Sequence, residues 1–283
     1  MRNLKEVCGE KIVITAHRGS AGGNIPCNTM AAYEIAYKHG ADMLEVDLNM
    51  SSDGHLIIFH PKMEPCHLGF SGSVRRYTLA QIQDVLRYVN YDHTQTEWTL
   101  CTFDDVLEEF KGKCYINVDK FWDYPEEISK AIKRHGMMDQ IVVKTSPKSG
   151  VFDVLEQVAP EIMFLPIYNG KDGKAAIVHE ELKKRNINYI GAELVFADEA
   201  CDVGRPAFRE MLHREGRLVW GNAILYDYRV PLAAGHSDDV SLVKDPALGW
   251  GWLADNGFDI IQTDWVLAMR QYLDETGKRF KKQ

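Results

Sequence analysis

The sequence predicts an α/β chain folded as a (β/α)8 TIM barrel, with a small insertion after its second strand. Three observations predict it. Short β-branched and apolar runs alternate with helical patterns eight times within 283 residues, and a closed barrel of eight such units commonly takes about 250 residues. No Gly-x-Gly-x-x-Gly follows the first run, which disfavours an open dinucleotide-binding sheet. Polar and titratable residues gather at the C-terminal ends of the predicted strands, the face on which such barrels carry their chemistry.

The first strand, residues 11–16, is β-branched and apolar and ends at His17-Arg18-Gly19. A glycine-rich loop then leads to Asn28-Thr29, which cap a helix over residues 30–38 that Gly40 stops. The second strand is Leu44-Glu45-Val46-Asp47-Leu48. Ser52-Asp53-Gly54 makes a tight turn into residues 56–60, so that run pairs antiparallel to the second strand. Pro61, Pro65 and the glycines at 69 and 72 break the rhythm, with one helical stretch over 79–88; this is the insertion, spanning approximately 51–100 and lying over one mouth of the barrel. The rhythm resumes with helix 103–110, strand 114–118, helix 124–135, strand 140–144 and helix 151–158. Strand 163–167, helix 174–185, strand 189–194, helix 206–215 and strand 218–222 follow, then strand 259–263 and a helix over 266–280. All of it, residues 1–283, is expected to form a single domain.

Composition excludes several functions. The hydrophobic fraction of 45% and charged fraction of 26% are ordinary for a globular chain. A net charge of -8 without a long basic run excludes nucleic acid as a partner. No run of about 18 apolar residues exists, so no stable membrane insertion is expected. Residues 1–6 lack the apolar core of a signal peptide. The six cysteines are scattered, without a Cys-x-x-Cys pair, which fits reduced thiols and a cytoplasmic location. No pattern bears on the oligomeric state. His135, His179 and His213 sit in charged helical surroundings and are expected at the surface, Trp250, Trp252 and Trp265 are expected to pack, and Lys278, Arg279, Lys281 and Lys282 are expected to solvate the last helix's terminus.

The candidate chemistry centres on Glu45 and Asp47. In an extended chain the two acids share one face while Leu44, Val46 and Leu48 share the other. Like charges that close need a cation or strong donors between them, which makes the pair a candidate metal site or, alternatively, a strand end paired with Arg or Lys. His17-Arg18 before the pair and His60 after it also end apolar runs. Asp119, Lys144, Glu193, Trp220, Asn222, Thr263 and Asp264 fall at or near other strand ends and converge on the same rim. Arginine offers a fork to phosphate oxygens, a metal neutralises developing charge, and histidines move protons, a combination suited to phosphodiester cleavage.

At these residues the sequence resembles the glycerophosphodiester phosphodiesterase family. The matching stretches are His17-Arg18-Gly19, Pro26-Cys27-Asn28-Thr29, Glu45-Val46-Asp47, Asp53-Gly54 with His60, Asn117-Val118-Asp119, Val219-Trp220-Gly221-Asn222, and Gly257-Phe258-Asp259-Ile260-Ile261-Gln262-Thr263-Asp264. The resemblance implies a barrel with an insertion after strand two that hydrolyses glycerophosphodiesters, small-molecule substrates, to glycerol phosphate and an alcohol. It further implies that His17 and His60 are the acid-base pair, that Arg18 binds phosphate, and that Glu45, Asp47 and Asp119 hold a divalent cation. An all-oxygen set of that kind suits Mg²⁺ or Ca²⁺. Lys144 and Trp220 join Arg18 as candidate substrate-binding residues.

The sequence also departs from the family pattern. Cys27 stands where a glutamate is usual, the family's His-Asp pair becomes His60-Pro61, and Asp119 replaces a glutamate. The lysine expected two residues after that acid is Phe121; Lys120 comes one position early and on a straight strand faces away, leaving Lys144 to supply the positive charge. The alternatives are a lyase of the phosphatidylinositol phospholipase C or sphingomyelinase D type that stops at a cyclic product, or a non-catalytic phosphate-binding relative.

Overall fold

The computed structural model of the protein describes residues 1–148, 150–226 and 229–281. Its elements run α1 (Leu4–Glu10), β1 (Val13–Ala16), α2 (Met30–Lys38), β2 (Met43–Met50), β3 (Leu56–Ile58), α3 (Glu64–His67), α4 (Leu79–Val85) and α5 (Phe103–Phe110). Then come β4 (Tyr115–Asp119), α6 (Pro125–His135), β5 (Ile141–Thr145), α7 (Val151–Val158), β6 (Met163–Asn169), α8 (Ala175–Leu182) and β7 (Gly191–Val195). The chain ends with α9 (Pro206–Arg214), β8 (Leu218–Asn222), α10 (Asp238–Val243), α11 (Trp250–Asp255), β9 (Ile260–Thr263) and α12 (Val266–Glu275).

Eight strands pair in parallel in the order β1-β9-β8-β7-β6-β5-β4-β2, and β1 pairs with β2 to close the ring. The ninth, β3, lies antiparallel on β2, with Leu48 opposite Ile58 and Met50 opposite Leu56. Gly54, at φ +84°, makes the turn between them. This is the predicted (β/α)8 barrel with one extra strand.

Period-two alternation sorts each strand's side chains to two environments. Leu44, Val46, Leu48, Ile116, Val118, Ile141 and Val143 belong to the large core between sheet and helices. Met43, Tyr115, Val142, Met163, Leu218 and Ile260 point inward and form a second cluster in the lower barrel. Helix α1 adds Leu4, Val7 and Cys8 to that cluster and so closes the N-terminal mouth. The sequence did not announce this helix, since seven residues capped by Asn3 carry too little periodicity to read.

Charged residues lock the lower end. Asp42 accepts from the Ile14 amide at 3.0 Å and pairs with Lys11 at 2.5 Å and Arg279 at 3.0 Å. Asp259 accepts from the Val219 amide and pairs with His213 and Lys281. Arg279 and Lys281 are therefore structural ties and not a solvated tail, because α12 stops at Glu275 and the chain turns back under the barrel to bridge Lys11 and Phe280. Lys282 lies outside the described residues. His179 is likewise no surface residue: it is 1% exposed, with Nδ1 on the Tyr189 hydroxyl at 2.8 Å and Nε2 on Glu215 at 3.0 Å.

Between β3 and α5 the chain builds its own small core from Phe59, Leu68, Val74, Ile82, Leu86, Tyr88 and Leu100. Two bonds tie this segment to the loop after β1: Tyr88 Oη donates to the Asn28 carbonyl at 3.3 Å, and Trp98 Nε1 to that of Asn24 at 2.7 Å. Among the described residues no helix is long and apolar enough to cross a membrane.

The closure of the lower mouth by α1 has a measurable consequence. Leu4 is 1% exposed, so Leu4→Ala is expected to lower unfolding stability by about 2–5 kcal/mol in a denaturant titration, with kcat unchanged because the site lies at the opposite end. A loss under about 0.5 kcal/mol, the range of surface substitutions, would show that α1 is not a core element.

Candidate active site

Pairing register builds the acid cluster. On β2 the inward positions include Glu45 and Asp47, and the β2–β4 register sets Asn117 beside Glu45 and Asp119 beside Asp47. Oxygens of Glu45, Asp47 and Asp119 all lie within 4.8 Å of one another, although Asp47 is 0% and Glu45 3% exposed.

The counter-charges come from loops. The Arg18 amide donates to Glu45 Oε2 at 3.0 Å, and its Nε pairs with Asp47 Oδ2 at 2.8 Å. Asn28 Nδ2 donates to the same Asp47 oxygen at 2.9 Å, while its own Oδ1 accepts from the buried Tyr33 hydroxyl at 2.7 Å. Lys120 bonds Asp119 and lies 3.7 Å from Asp47 Oδ1. That Asp47 oxygen is buried and has no hydrogen-bond partner among the described residues. Burial disfavours the Asp47 carboxylate, yet Arg18, His60, Lys120 and the Asn28 bond outweigh it and hold Asp47 below the usual carboxylate range. Glu45 goes the other way: burial, then the Asp47 charge, push it up to about 7.

Lys120 overturns the expectation that it faces away. Its backbone is left-handed, at φ +64°, which ends the strand's alternation after Asp119 and swings the ammonium into the site. Phe121 takes the buried outward place instead. Arg18 (φ +56°) and Asn28 (φ +58°) are left-handed too, so three non-glycine residues around the acids hold a conformation that costs energy elsewhere. Gly19, at φ +79°, lets the loop pass so close to α2 that a Cβ there would sit 2.7 Å from the Ala32 carbonyl carbon.

The two histidines stand on either side of the acids, and each is oriented through Nδ1. His17 Nδ1 contacts Asp264 Oδ1 at 2.8 Å, and His60 Nδ1 contacts the Pro61 carbonyl at 2.8 Å. Both partners only accept, so Nδ1 carries the proton in each ring and Nε2 is left for other work. His60 Nε2 lies 4.0 Å from Asp47. Burial opposes charge on His17, but the bond to Asp264 and the Glu45 charge raise it above the ordinary histidine value. His60 is lowered, chiefly by burial, with Arg18 and Lys120 adding to it against the pull of Asp47.

These groups line a cavity of about 340 Å³ at the C-terminal mouth, shared with Met63, Ile167, Leu225 and Tyr226. Its floor is polar and self-contained. Lys144 Nζ pairs with Glu193 Oε2 at 2.7 Å and lies 3.9 Å from the Trp220 ring centroid, and Asn222 donates to Glu193 at 2.7 Å. Lys144 reaches the cavity wall, whereas Trp220 is fully buried beneath it, supporting the ammonium and donating to Asn222 at 3.2 Å. Cys27 sits beside Arg18 with its thiol pushed up to about 11 by burial, hence neutral.

The structure thus brings His17, His60, Arg18, Lys144, Glu45, Asp47 and Asp119 to one mouth, with Trp220 one layer below. Sequence reasoning missed Asn28, Lys120 and the anchoring role of Asp264. Asn28 had a signal, the Asn-Thr pair opening a helix within a stretch that matches the family, but it reads there as a cap with no role at the acids; the left-handed turn at Lys120 had none.

Fold and site together define a phosphodiester-cleaving barrel enzyme, with acids, arginine and paired histidines at the catalytic face. The model of the glycerophosphoryl diester phosphodiesterase family matches residues 17–220, and the chain belongs to that family of phosphoric diester hydrolases. It is 27% identical over 165 residues to a glycerophosphodiester phosphodiesterase of Caldanaerobacter subterraneus subsp. tengcongensis, an alignment spanning 56% of this chain and 67% of the relative. Among solved structures, a glycerophosphoryl diester phosphodiesterase from Parabacteroides distasonis superposes with a TM-score of 0.77 at 19% identity, covering 100% of this chain and 98% of the other. An Oleispira antarctica phosphodiesterase, solved in complex with the product sn-glycerol-3-phosphate, superposes with a TM-score of 0.66 at 18% identity over 93% of this chain and 97% of its own. At such identities these superpositions speak for the fold.

The two lysines separate experimentally. Lys120→Met is expected to lower kcat/KM by roughly 10- to 100-fold, the worth of about 1.5–3 kcal/mol for a charge-assisted bond. Lys144→Met strands Glu193 and is expected to show first as a stability loss of about 3–5 kcal/mol. Unchanged turnover in Lys120→Met would remove that ammonium from the site.

Proposed function

We propose that the protein hydrolyses glycerophosphodiesters to glycerol phosphate and an alcohol, with residues 1–283 acting as a single domain and the segment at about 51–100 as its insertion. The observation that carries this is the pair of Nδ1-anchored histidines flanking an acid cluster in which one buried Asp47 oxygen has no hydrogen-bond partner among the described residues. Supporting it, the Oleispira relative holds sn-glycerol-3-phosphate as product.

The acid set fits a divalent cation. Three carboxylates face two cations, Arg18 and Lys120, so one negative charge is left over when all three are ionised. One Asp47 oxygen lies within 4.8 Å of oxygens from the other two acids, and Asp47 Oδ1 has no hydrogen-bond partner among the described residues. Glu45, Asp47 and Asp119 would hold the ion, and an all-oxygen set suits Mg²⁺ or Ca²⁺. When bound, the ion would neutralise charge developing on the phosphate.

The chain's own residues do the rest. Arg18 and Lys120 point cationic groups at the phosphate position. His60, anchored on a neutral carbonyl, is the general base: its Nε2 takes the proton from the substrate's neighbouring glycerol hydroxyl as that oxygen attacks phosphorus. His17, anchored on the Asp264 carboxylate, is the general acid and gives its Nε2 proton to the leaving alcohol as the phosphorus–oxygen bond breaks. Water then opens the cyclic phosphate with the two roles exchanged. Lys144, held by Glu193, and Trp220 beneath it shape the floor on which the glycerol rests. Glycerophosphodiesters are deacylated phospholipids, which assigns the enzyme to lipid metabolism, and six unpaired thiols support a cytoplasmic setting.

A phosphorus NMR time course on mixed glycerophosphodiesters tests the reaction; accumulation of a cyclic phosphate without hydrolysis would make the protein a lyase. Exhaustive chelation is expected to abolish turnover, with Mg²⁺ or Ca²⁺ restoring it and raising the melting temperature in a concentration-dependent way. Full activity after chelation would sink the metal site.

His17→Ala and His60→Ala are each expected to lower kcat by roughly 10²- to 10⁴-fold. On a substrate with a nitrophenol leaving group the loss in His17→Ala should shrink, since that group departs unaided, while the loss in His60→Ala persists. The reverse pattern would exchange acid and base.

A further inference from the structure

We propose that Asp238, in the connection between β8 and β9, is a positioning residue for His17 and acts through the turn that carries Asp264; this rests on the acid-base reading of His17 above. Asp238 is 2% exposed and touches neither the cavity nor His17. Its carboxylate gathers three neutral donors. Oδ1 accepts from Trp250 Nε1 at 2.6 Å and Thr263 Oγ1 at 2.7 Å, and Oδ2 from the Asp264 amide at 2.8 Å. Its own amide donates to the Ala223 carbonyl at 2.7 Å, which fixes it to the exit of β8.

These contacts grip one short turn. Thr263 Oγ1, while donating to Asp238, accepts from the Trp265 amide at 2.9 Å, so the backbone on both sides of Asp264 is held. The same turn carries His17: the His17 amide donates to the Thr263 carbonyl at 3.1 Å, and Nδ1 meets Asp264 Oδ1 at 2.8 Å. The Asp264 side chain is 48% exposed. Solvent alone would leave it free to rotate, and its aim at His17 comes from a backbone that Asp238 holds.

An amide could not replace the acid. Both Asp238 oxygens are acceptors, and asparagine would turn an NH₂ toward one of the donors. A carboxylate buried among neutral donors is costly to keep. Burial raises it to about 6 against the pull of the three bonds. Plain packing would favour a neutral side chain at this place; holding Thr263 and Asp264 at once requires two acceptor oxygens on one rigid group.

The test is a cycle of Asp238→Asn, Asp264→Asn and the double variant, measured by kcat and KM and by the downfield proton signal of the His17 Nδ1–H···Asp264 bond. Asp238→Asn is expected to lower kcat by roughly 10²-fold, the scale of a misplaced catalytic group, with KM little changed. The double variant should fall no further than Asp264→Asn alone, and the His17 signal should move or vanish in Asp238→Asn. An unmoved signal, an unchanged kcat, or losses that multiply in the double variant would each overturn the proposal. If Asp238→Asn does not fold, Thr263→Val removes one donor from the same grip, and an unmoved His17 signal there overturns it equally. Should His17→Ala turn over normally, the acid-base reading fails by itself, and the His17 signal in Asp238→Asn still decides for or against Asp238.

Discussion

Repulsion among two buried carboxylates and a third that is half-buried governs the C-terminal end of the barrel. The β2–β4 register brings Glu45, Asp47 and Asp119 within 4.8 Å, and two like charges about 4 Å apart cost about 4 kcal/mol at the effective dielectric typical of protein sites. Strand geometry supplies no remedy, because the neighbouring positions on β2 and β4 face the helices. Cations must come from loops that leave the strands at sharp angles. Arg18 and Lys120 reach the acids only by adopting left-handed backbone, a strain of about 1–3 kcal/mol each. Each relieves more than one repulsion, so electrostatics prevails over backbone preference. With all three acids ionised, Arg18 and Lys120 leave one negative charge, and Asp47 Oδ1 has no hydrogen-bond partner among the described residues; on the reading proposed above, that surplus suits a divalent cation.

The barrel interior is graded along its axis by the same logic. At the bottom, Met43, Met163 and Ile260 are apolar, Tyr115 packs with them while its hydroxyl donates to the Arg2 carbonyl, and α1 seals the cluster. One layer up, Lys144 and Glu193 are both buried and cancel each other, with Trp220, Asn222 and Gln262 as neutral company. Only the top layer carries uncompensated charge. A buried ion pair contributes little net stability, yet breaking it is costly, so the Lys144–Glu193 layer is rigid and electrically quiet. Such a floor separates an apolar plug from a charged mouth without spreading the acid cluster's field into the core. Lys144, expected to supply the positive charge that this chain lacks at residue 121, lines the cavity with its ammonium paired to Glu193.

Much of this was legible in the sequence, because it rests on period. The helices at 30–38, 103–110 and 151–158 and the strand at 218–222 have the predicted bounds, since caps and alternation are local signals. Glu45 and Asp47 face inward as period two requires. What escaped reading depends on tertiary partners. The seven-residue α1 exists because the barrel mouth offers Leu4 a place to bury. His179 sits in a charged helix, but Tyr189 and Glu215, distant in sequence, satisfy both its nitrogens inside the protein. Arg279 and Lys281 look like a solvated tail until the chain turns back to Asp42 and Asp259. Lys120 was misjudged because a single left-handed residue reverses the facing of everything after it, and the residue types around it do not mark the reversal.

The two histidines differ in a way that follows from their anchors. Where the family pattern has His-Asp in sequence, His60 is followed by Pro61, whose carbonyl accepts a hydrogen bond from Nδ1. A carbonyl orients the ring as well as a carboxylate does, but it adds no negative charge to favour the imidazolium. His17 keeps a carboxylate, Asp264, and is raised, whereas His60 is lowered. On the acid-base reading proposed above, environments that push two titratable groups apart suit them to carry different protons, and Pro61 contributes to that difference by offering no charge. It also leaves the His17–Asp264 bond as the one charge-assisted anchor of the pair, on a half-exposed side chain that the protein core must hold from behind.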